Sequence, residues 1–172
     1  YAYVKVDDEE YGLYANIETQ DDVSLPRWFK STKHLYEGEH GADVVQGGTG
    51  KFEVDEGDDD DLTDLDALIA AVHGSGAYTE RMAAVADLEE FVRMWAVERY
   101  IGHFDSYTSF KSPSQPSNYY LHSDAAGRFS MMPWSTDGAW LVAPPFDGEG
   151  GGVMFNLCLA DRDCNARYRE AV

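Results

Sequence analysis

His103-Phe104-Asp105-Ser106-Tyr107, a loop, Asn118-Tyr119-Tyr120-Leu121-His122, a turn, then Met132-Pro133-Trp134-Ser135-Thr136-Asp137-Gly138: these segments decide how the chain is read. They present an acid, an amide and an acid. Asp105 follows a long apolar helical pattern, and Asn118 opens a β-type run. Asp137 follows a second β-type run, Phe129-Ser130-Met131-Met132. A hairpin between the two runs, turned at Asp124-Ala125-Ala126-Gly127, brings Asn118 close to Asp137.

This set suits phosphoryl transfer. The attacking hydroxyl needs a carboxylate to take its proton, and the phosphates need a metal ion to neutralise them. Mg²⁺ prefers oxygen ligands such as a carboxylate and an amide carbonyl. His103-x-Asp105 and Asp137-Gly138 echo the catalytic-loop and D-F-G parts of protein kinases. The amide, however, follows Asp105 by thirteen positions, where the kinase pattern has five. Taken alone, Asp105 reads as a turn aspartate bonded to backbone.

The flanks make the match specific. Gly12-Leu13-Tyr14-Ala15-Asn16-Ile17-Glu18 comes early, then Leu35-Tyr36-Glu37-Gly38, Phe52-Glu53, Gly57-Asp58 and Asp64-Leu65. Phe104-Asp105-Ser106-Tyr107, Asn118-Tyr119-Tyr120-Leu121 and Pro133-Trp134-x-x-Asp137 come last. In this order the chain resembles the spore coat protein H (CotH) kinase family over nearly its whole length. The resemblance implies an α+β, protein-kinase-like fold in two lobes: a small β-rich lobe over 1–60 and a larger helical lobe over 61–172. It implies an atypical protein kinase that uses ATP with Mg²⁺ or Mn²⁺ and phosphorylates Ser or Thr of a coat or extracellular protein. Asp105 is then the catalytic base, Asn118 and Asp137 the metal ligands, and Glu18 and Lys51 the nucleotide contacts. The expected location is extracellular or in the cell or spore envelope. One position departs from the pattern. The family's P-W-D-x-D has Ser135 at its first acid, so a catalytically weakened pseudokinase or interaction module stands as the alternative.

Composition bounds these expectations. The 172 residues suffice for one domain, and 44% hydrophobic content supports a core. The first residue, Tyr1, enters directly into a strand pattern, so a fragment with an incomplete N-terminal lobe is expected. The chain carries 13 basic against 32 acidic residues, a net charge of −19. Such a surface argues against nucleic acid as partner. It also requires metal ions to carry more of the neutralisation of ATP. A Ca²⁺-stabilised acidic extracellular domain is a further alternative, although the Asp55–Asp61 run lacks the EF-hand pattern. No apolar run approaches membrane-spanning length.

Along the chain, residues 2–6 and 11–18 read as a hairpin turned at Asp7-Asp8-Glu9-Glu10. Asp21–Phe29 reads as a short helix with Leu25, Trp28 and Phe29 inward. Gly47-Gly48-Thr49-Gly50-Lys51 lacks the full phosphate-loop form, and Lys33 is a second candidate for a phosphate contact. Helices are expected over 62–72, 79–85 and from Asp87 to about Gly102, the last opened by the capping box Asp87-x-x-Glu90. Leu88, Phe91, Val92, Trp95, Ala96 and Arg99 form one stripe of that helix, with Met94, Val97 and Ile101 on another side. The loop 108–117, with Lys111 and Pro113, is a candidate substrate-facing segment. Cys158 and Cys164 on one continuous helix would lie ~9 Å apart along its axis. A break at Asp161-Arg162-Asp163 would instead allow a bridged corner.

Overall fold

The computed structural model describes residues 1–109 and 115–171. The chain forms two compact units, Tyr1–Lys30 and Ser31–Val172. Among the described residues it is a mixed α+β protein with two small antiparallel sheets and a set of short helices.

The first unit holds a hairpin of β1 (Ala2–Val6) and β2 (Glu9–Tyr14), then the single turn α1 (Leu25–Trp28). Asp7 and Asp8 have φ of 50° and 68°. Two consecutive left-handed residues match the right-handed twist of paired strands, and Asp tolerates that region better than most residues. The turn is therefore tighter than the expected four-residue one, and Glu9 and Glu10 belong to β2. The second strand stops at Tyr14, well short of Glu18. Leu25 is buried as expected, but Trp28 is 71% exposed. Pro26 sits in the first turn, where proline is tolerated, and the chain turns extended at Phe29, so α1 is a single turn that leaves Trp28 outside the core.

The second unit is a four-stranded antiparallel sheet in the order β4-β3-β5-β6, with helices packed against it. Its strands are β3 (His34–Gly38), β4 (Phe52–Glu56), β5 (Tyr119–Ser123) and β6 (Phe129–Pro133). Its helices are α2 (Thr63–His73), α3 (Tyr78–Val85), α4 (Leu88–Tyr100), α5 (Val153–Ala160) and α6 (Arg162–Glu170). All five residues of β5 are buried, as a central strand covered on both faces requires. The β5–β6 turn is the expected one. Asp124 Oδ1 accepts from Ala126 N at 2.8 Å and Arg128 N at 2.9 Å, and Gly127 takes φ +74°.

A run of aromatic rings joins helix to sheet. Trp95, fully buried on α4, meets Phe91, Tyr107 and Phe155 at centroid distances of 5.9, 6.1 and 5.9 Å. Tyr107 meets Tyr119 on β5 at 4.7 Å, and Tyr119 meets Phe52 on β4 at 6.3 Å. Edge-on and offset contacts of this kind add ~0.5–1.5 kcal/mol per pair to the burial itself. Only half of the expected capping box forms: the Asp87 side chain accepts from Glu90 N, but Asp87 N donates to Phe129 O at 2.8 Å rather than to Glu90, tying the start of α4 to β6. Val97 departs from expectation at 55% exposed, because the helix turns only one broad face to the core. Between α5 and α6, the Asp161 side chain accepts from Asp163 N and Cys164 N and restarts the helix. That corner brings the Cα atoms of Cys158 and Cys164 to 5.0 Å, and they form a disulfide.

A second buried network fastens α2 to the sheet. Asp64 accepts from His34 Nδ1 at 2.9 Å, Tyr36 OH at 2.7 Å and the Ser123 hydroxyl. Burial pushes its carboxyl up, but the bonds from Ser123, His34 and Tyr36 outweigh burial and hold it below the usual carboxylate range.

Candidate functional site

The site begins where α4 ends. Gly102 takes φ +60°, and a Cβ there would lie 2.0 Å from the Val142 carbonyl. Only glycine meets both conditions. His103 N then donates to Glu98 O at 2.9 Å, closing the helix and releasing Phe104 and Asp105 into a turn. The segment beyond this turn is anchored from below. Glu98 Oε2 accepts from Thr108 N at 3.0 Å and Thr108 Oγ1 at 2.8 Å. Tyr107 OH donates to Asp43 Oδ1 at 2.9 Å and accepts from Met154 N at 3.0 Å. Asp105 itself is half-buried.

Asn118, at the entry to β5, has φ 55°. In that left-handed conformation its Nδ2 donates to the backbone carbonyl of Asp105 at 2.6 Å. Its own carbonyl accepts from Trp134 N at 2.9 Å, past the end of β6. Asn118 thus links the Asp105 turn to the hairpin exit. Its Oδ1, the oxygen a cation would use, carries no hydrogen bond among the described residues.

Asp137 lies in a 3₁₀ turn, Thr136–Gly138, entered through Ser135 at φ 46°. Ser135 Oγ donates to Asp137 Oδ1 at 2.8 Å, and Asp137 is exposed. The turn is pinned to the end of α4. His103 Nε2 donates to Ser135 O at 3.0 Å, and Trp140 N donates to Ile101 O at 2.6 Å. A carbonyl only accepts, so Nε2 carries the proton and Nδ1 is left as the acceptor. Burial lowers the basicity of His103, while the Ser135 carbonyl, Asp105 and Asp137 act in the opposite direction. Both carboxylates therefore act on one imidazole. Trp134 is half-buried at the edge of this region, its ring 5.5 Å from Tyr120.

Asp105, Asn118 and Asp137 are thus drawn into one connected set of loops. Glu18 and Lys51 have other partners. Glu18, in the first unit, pairs with Arg27 and accepts from Trp28 Nε1 at 3.4 Å. Lys51 Nζ donates to Gly41 O at 3.4 Å. Lys33 bridges to Asp61 at 3.2 Å at the start of α2. Among the described residues, carboxylates tight enough to share an ion in threes are Glu37, Glu53 and Asp55, and Asp58 to Asp60. Neither group includes the acids of the loop set. Lys111 and Pro113 of the candidate substrate-facing loop lie outside the described residues.

Sequence reading missed two buried acids. Glu98 is 2% exposed, and burial pushes its carboxyl up to about 7 against the opposing bonds from Thr108 and Ser106. Its signal was its position on the face of Phe91 and Trp95, where a charge must find a partner. Asp43 accepts from Tyr107 OH and, at 2.8 Å, from Val153 N, and burial raises its carboxyl too. It lies in a loop without periodicity, so nothing in the sequence marked it.

The architecture and this loop set define a class: an α+β domain in which an acid after a helix, an amide at a strand entry and an acid after a hairpin are tied together by hydrogen bonds. A family model described as CotH kinase protein matches residues 1–157. The chain belongs to the CotH kinase family. No curated protein and no solved structure matches it. No helix among the described residues is long and apolar enough to cross a membrane.

Proposed function

We propose that this chain transfers the γ-phosphoryl group of ATP to a Ser or Thr hydroxyl of a coat or extracellular protein, within a protein-kinase-like two-lobe fold. The observation in its favour is the hydrogen-bonded link from Asn118 Nδ2 to the Asp105 carbonyl, beside the Asp137 turn that His103 holds. Asp105 takes the proton of the acceptor hydroxyl. The hydroxyl oxygen forms a bond to the γ-phosphorus, and the bond to the β–γ bridging oxygen breaks, its electron pair leaving with ADP. Asn118 and Asp137 would hold Mg²⁺ or Mn²⁺. An amide carbonyl and a carboxylate are the hard oxygen donors such ions take, and the uncommitted Oδ1 of Asn118 fits that role. When bound, the metal offsets phosphate charge that a −19 chain cannot offset alone. Lys51 would contact the nucleotide, exchanging its bond to Gly41 O for a phosphate oxygen. The disulfide and the acidic surface favour an extracellular or envelope location.

A second reading has a specific observation behind it. Ser135 stands where the family pattern has an acid, and its hydroxyl occupies Asp137 Oδ1. A pseudokinase would keep the fold without turnover. ATP affinity measured with Mg²⁺ and with EDTA, for the wild type and Asp137→Ala, separates the two, alongside transfer of labelled phosphate to casein. The kinase predicts metal-dependent binding lost in the variant, together with transfer. ATP binding that ignores both metal and mutation, with no transfer, makes the pseudokinase the correct description. Absence of any nucleotide binding rejects both.

A further inference from the structure

Between α4 and β6 lies a cavity of about 290 Å³. Met94, Val97, Ile101, Met131 and Pro133 give it an apolar wall. An apolar cavity of about 150 Å³ is enough to take up benzene, so this one has room for a ring with a short arm.

Glu90, Arg93 and Thr136 also line it, and two buried polar side chains interrupt the wall: Glu98 and His103. Each is 2% exposed. Each uses one polar atom inside the protein and leaves the other unpaired among the described residues. Glu98 Oε2 serves Thr108, and Oε1 has no partner. His103 Nε2 serves Ser135, and Nδ1 has no partner. An unmade bond at a buried polar atom is costly, and two at one apolar cavity form an uncommon combination. Because the His103 proton sits on Nε2, Nδ1 is an acceptor. Burial pushes the Glu98 carboxyl up to about 7, so above that pH Oε1 is an acceptor as well. Arg93 and Thr136 carry the donors of the lining, and neither bonds Oε1 or Nδ1.

We propose that this cavity is a binding site for a small apolar primary amine, its ring or chain against Met94, Val97 and Met131 and its N–H donors on Glu98 Oε1 and His103 Nδ1. A primary amine supplies several donors from one atom, whereas a hydroxyl supplies one. Hydrocarbon alone would fill the space and leave both acceptors unpaired.

Methyl NMR of the full chain at pH 8, ¹³C-labelled at the methionine ε-carbons, tests this with benzylamine, benzyl alcohol and toluene as probes. Benzylamine is expected to shift the Met94 and Met131 signals saturably, with affinity at least tenfold above the other two. Glu98→Gln should erase that preference while toluene still binds. Val97→Trp, at an exposed position on the cavity wall, should abolish all three responses and does not depend on Glu98 for folding. Equal affinity for benzylamine and toluene would reduce the site to an apolar void. No saturable shift at millimolar benzylamine, or a shift that survives Val97→Trp, would overturn the proposal.

Discussion

The two arms that carry Asp105 and Asp137 are built differently. The Asp105 arm is held from within: Glu98 takes the backbone and hydroxyl of Thr108, Asp43 takes Tyr107, and Asn118 takes the Asp105 carbonyl. Most of its side chains are buried. The Asp137 arm is held from outside by its backbone. His103 takes the Ser135 carbonyl, Trp140 N reaches Ile101, and Ser135 to Asp137 are exposed. Two of its residues, Ser135 and Trp140, have φ of 46° and 66°. A base must be aimed at a proton within hydrogen-bond reach, so a rigid mount suits the role proposed for Asp105. A metal ligand gains its final geometry when the ion binds, and an exposed, lightly held carboxylate suits the role proposed for Asp137.

The largest effect that would break this contrast is chemical. Asp105→Ala is expected to lower phosphoryl transfer by about 10²–10⁴-fold, the range of one general base, with the melting temperature unchanged. A large loss of stability instead would make Asp105 a structural turn residue. Initial-rate assays and thermal melts on the same preparation distinguish these.

Next in size is the mount beneath Asp105. The Glu98 carboxyl is raised, so between its unfolded value near 4.5 and its folded value of about 7 the native state holds a proton that the unfolded chain has released. Stability therefore falls as pH rises through that window. The loss amounts to up to about 3 kcal/mol by pH 8, at 1.36 kcal/mol per unit. His122 works in the opposite sense. Burial lowers it to about 4, so stability rises with pH across roughly 4 to 6.5. The difference between wild type and Glu98→Gln isolates the carboxyl, because Gln keeps an acceptor for Thr108 and cannot ionise. Urea unfolding at pH 5 and pH 8 should show the wild type losing stability relative to the variant over that interval.

Gly102→Ala attacks the point from which both arms depart. Left-handed backbone at a non-glycine residue costs about 1–3 kcal/mol, and the contact with Val142 O adds to it. Urea unfolding should show at least that loss. A neutral result would mean the junction is free to move and the contrast between the arms is false. The smallest effect is on the Asp137 side. Ser135→Asp restores the family acid and frees Asp137 Oδ1, so Mg²⁺-dependent ATP affinity should rise a few-fold without change in stability. Weaker affinity would show that two adjacent acids repel where one suffices.

Much of the local structure was legible because its causes are local. The Asp87 N-cap, the Asp124–Gly127 turn, the Gly102 stop and the break at Asp161 each rest on residues within a few positions of one another. The same locality shortened β2 and α1 relative to expectation. Apolar patterning continued past the backbone's last pairing at Tyr14, and α1 ends after one turn where Phe29 becomes extended. The approach of Asn118 to Asp105 was implied only by the family resemblance, because the thirteen-position gap departs from the kinase spacing. The contact itself depends on Asn118 adopting φ 55°, which tertiary packing selects.

The sequence alone determined the family, the α+β alternation, the caps and turns, and the acid–amide–acid order, since these follow from residue type and short-range periodicity. Tertiary structure decided which buried acids hold the loops. Glu98 meets Thr108 ten positions on, and Asp43 meets Tyr107 sixty-four positions on. A carboxylate becomes an anchor only when packing strips its water and brings a distant donor to it, and no local pattern records that distance.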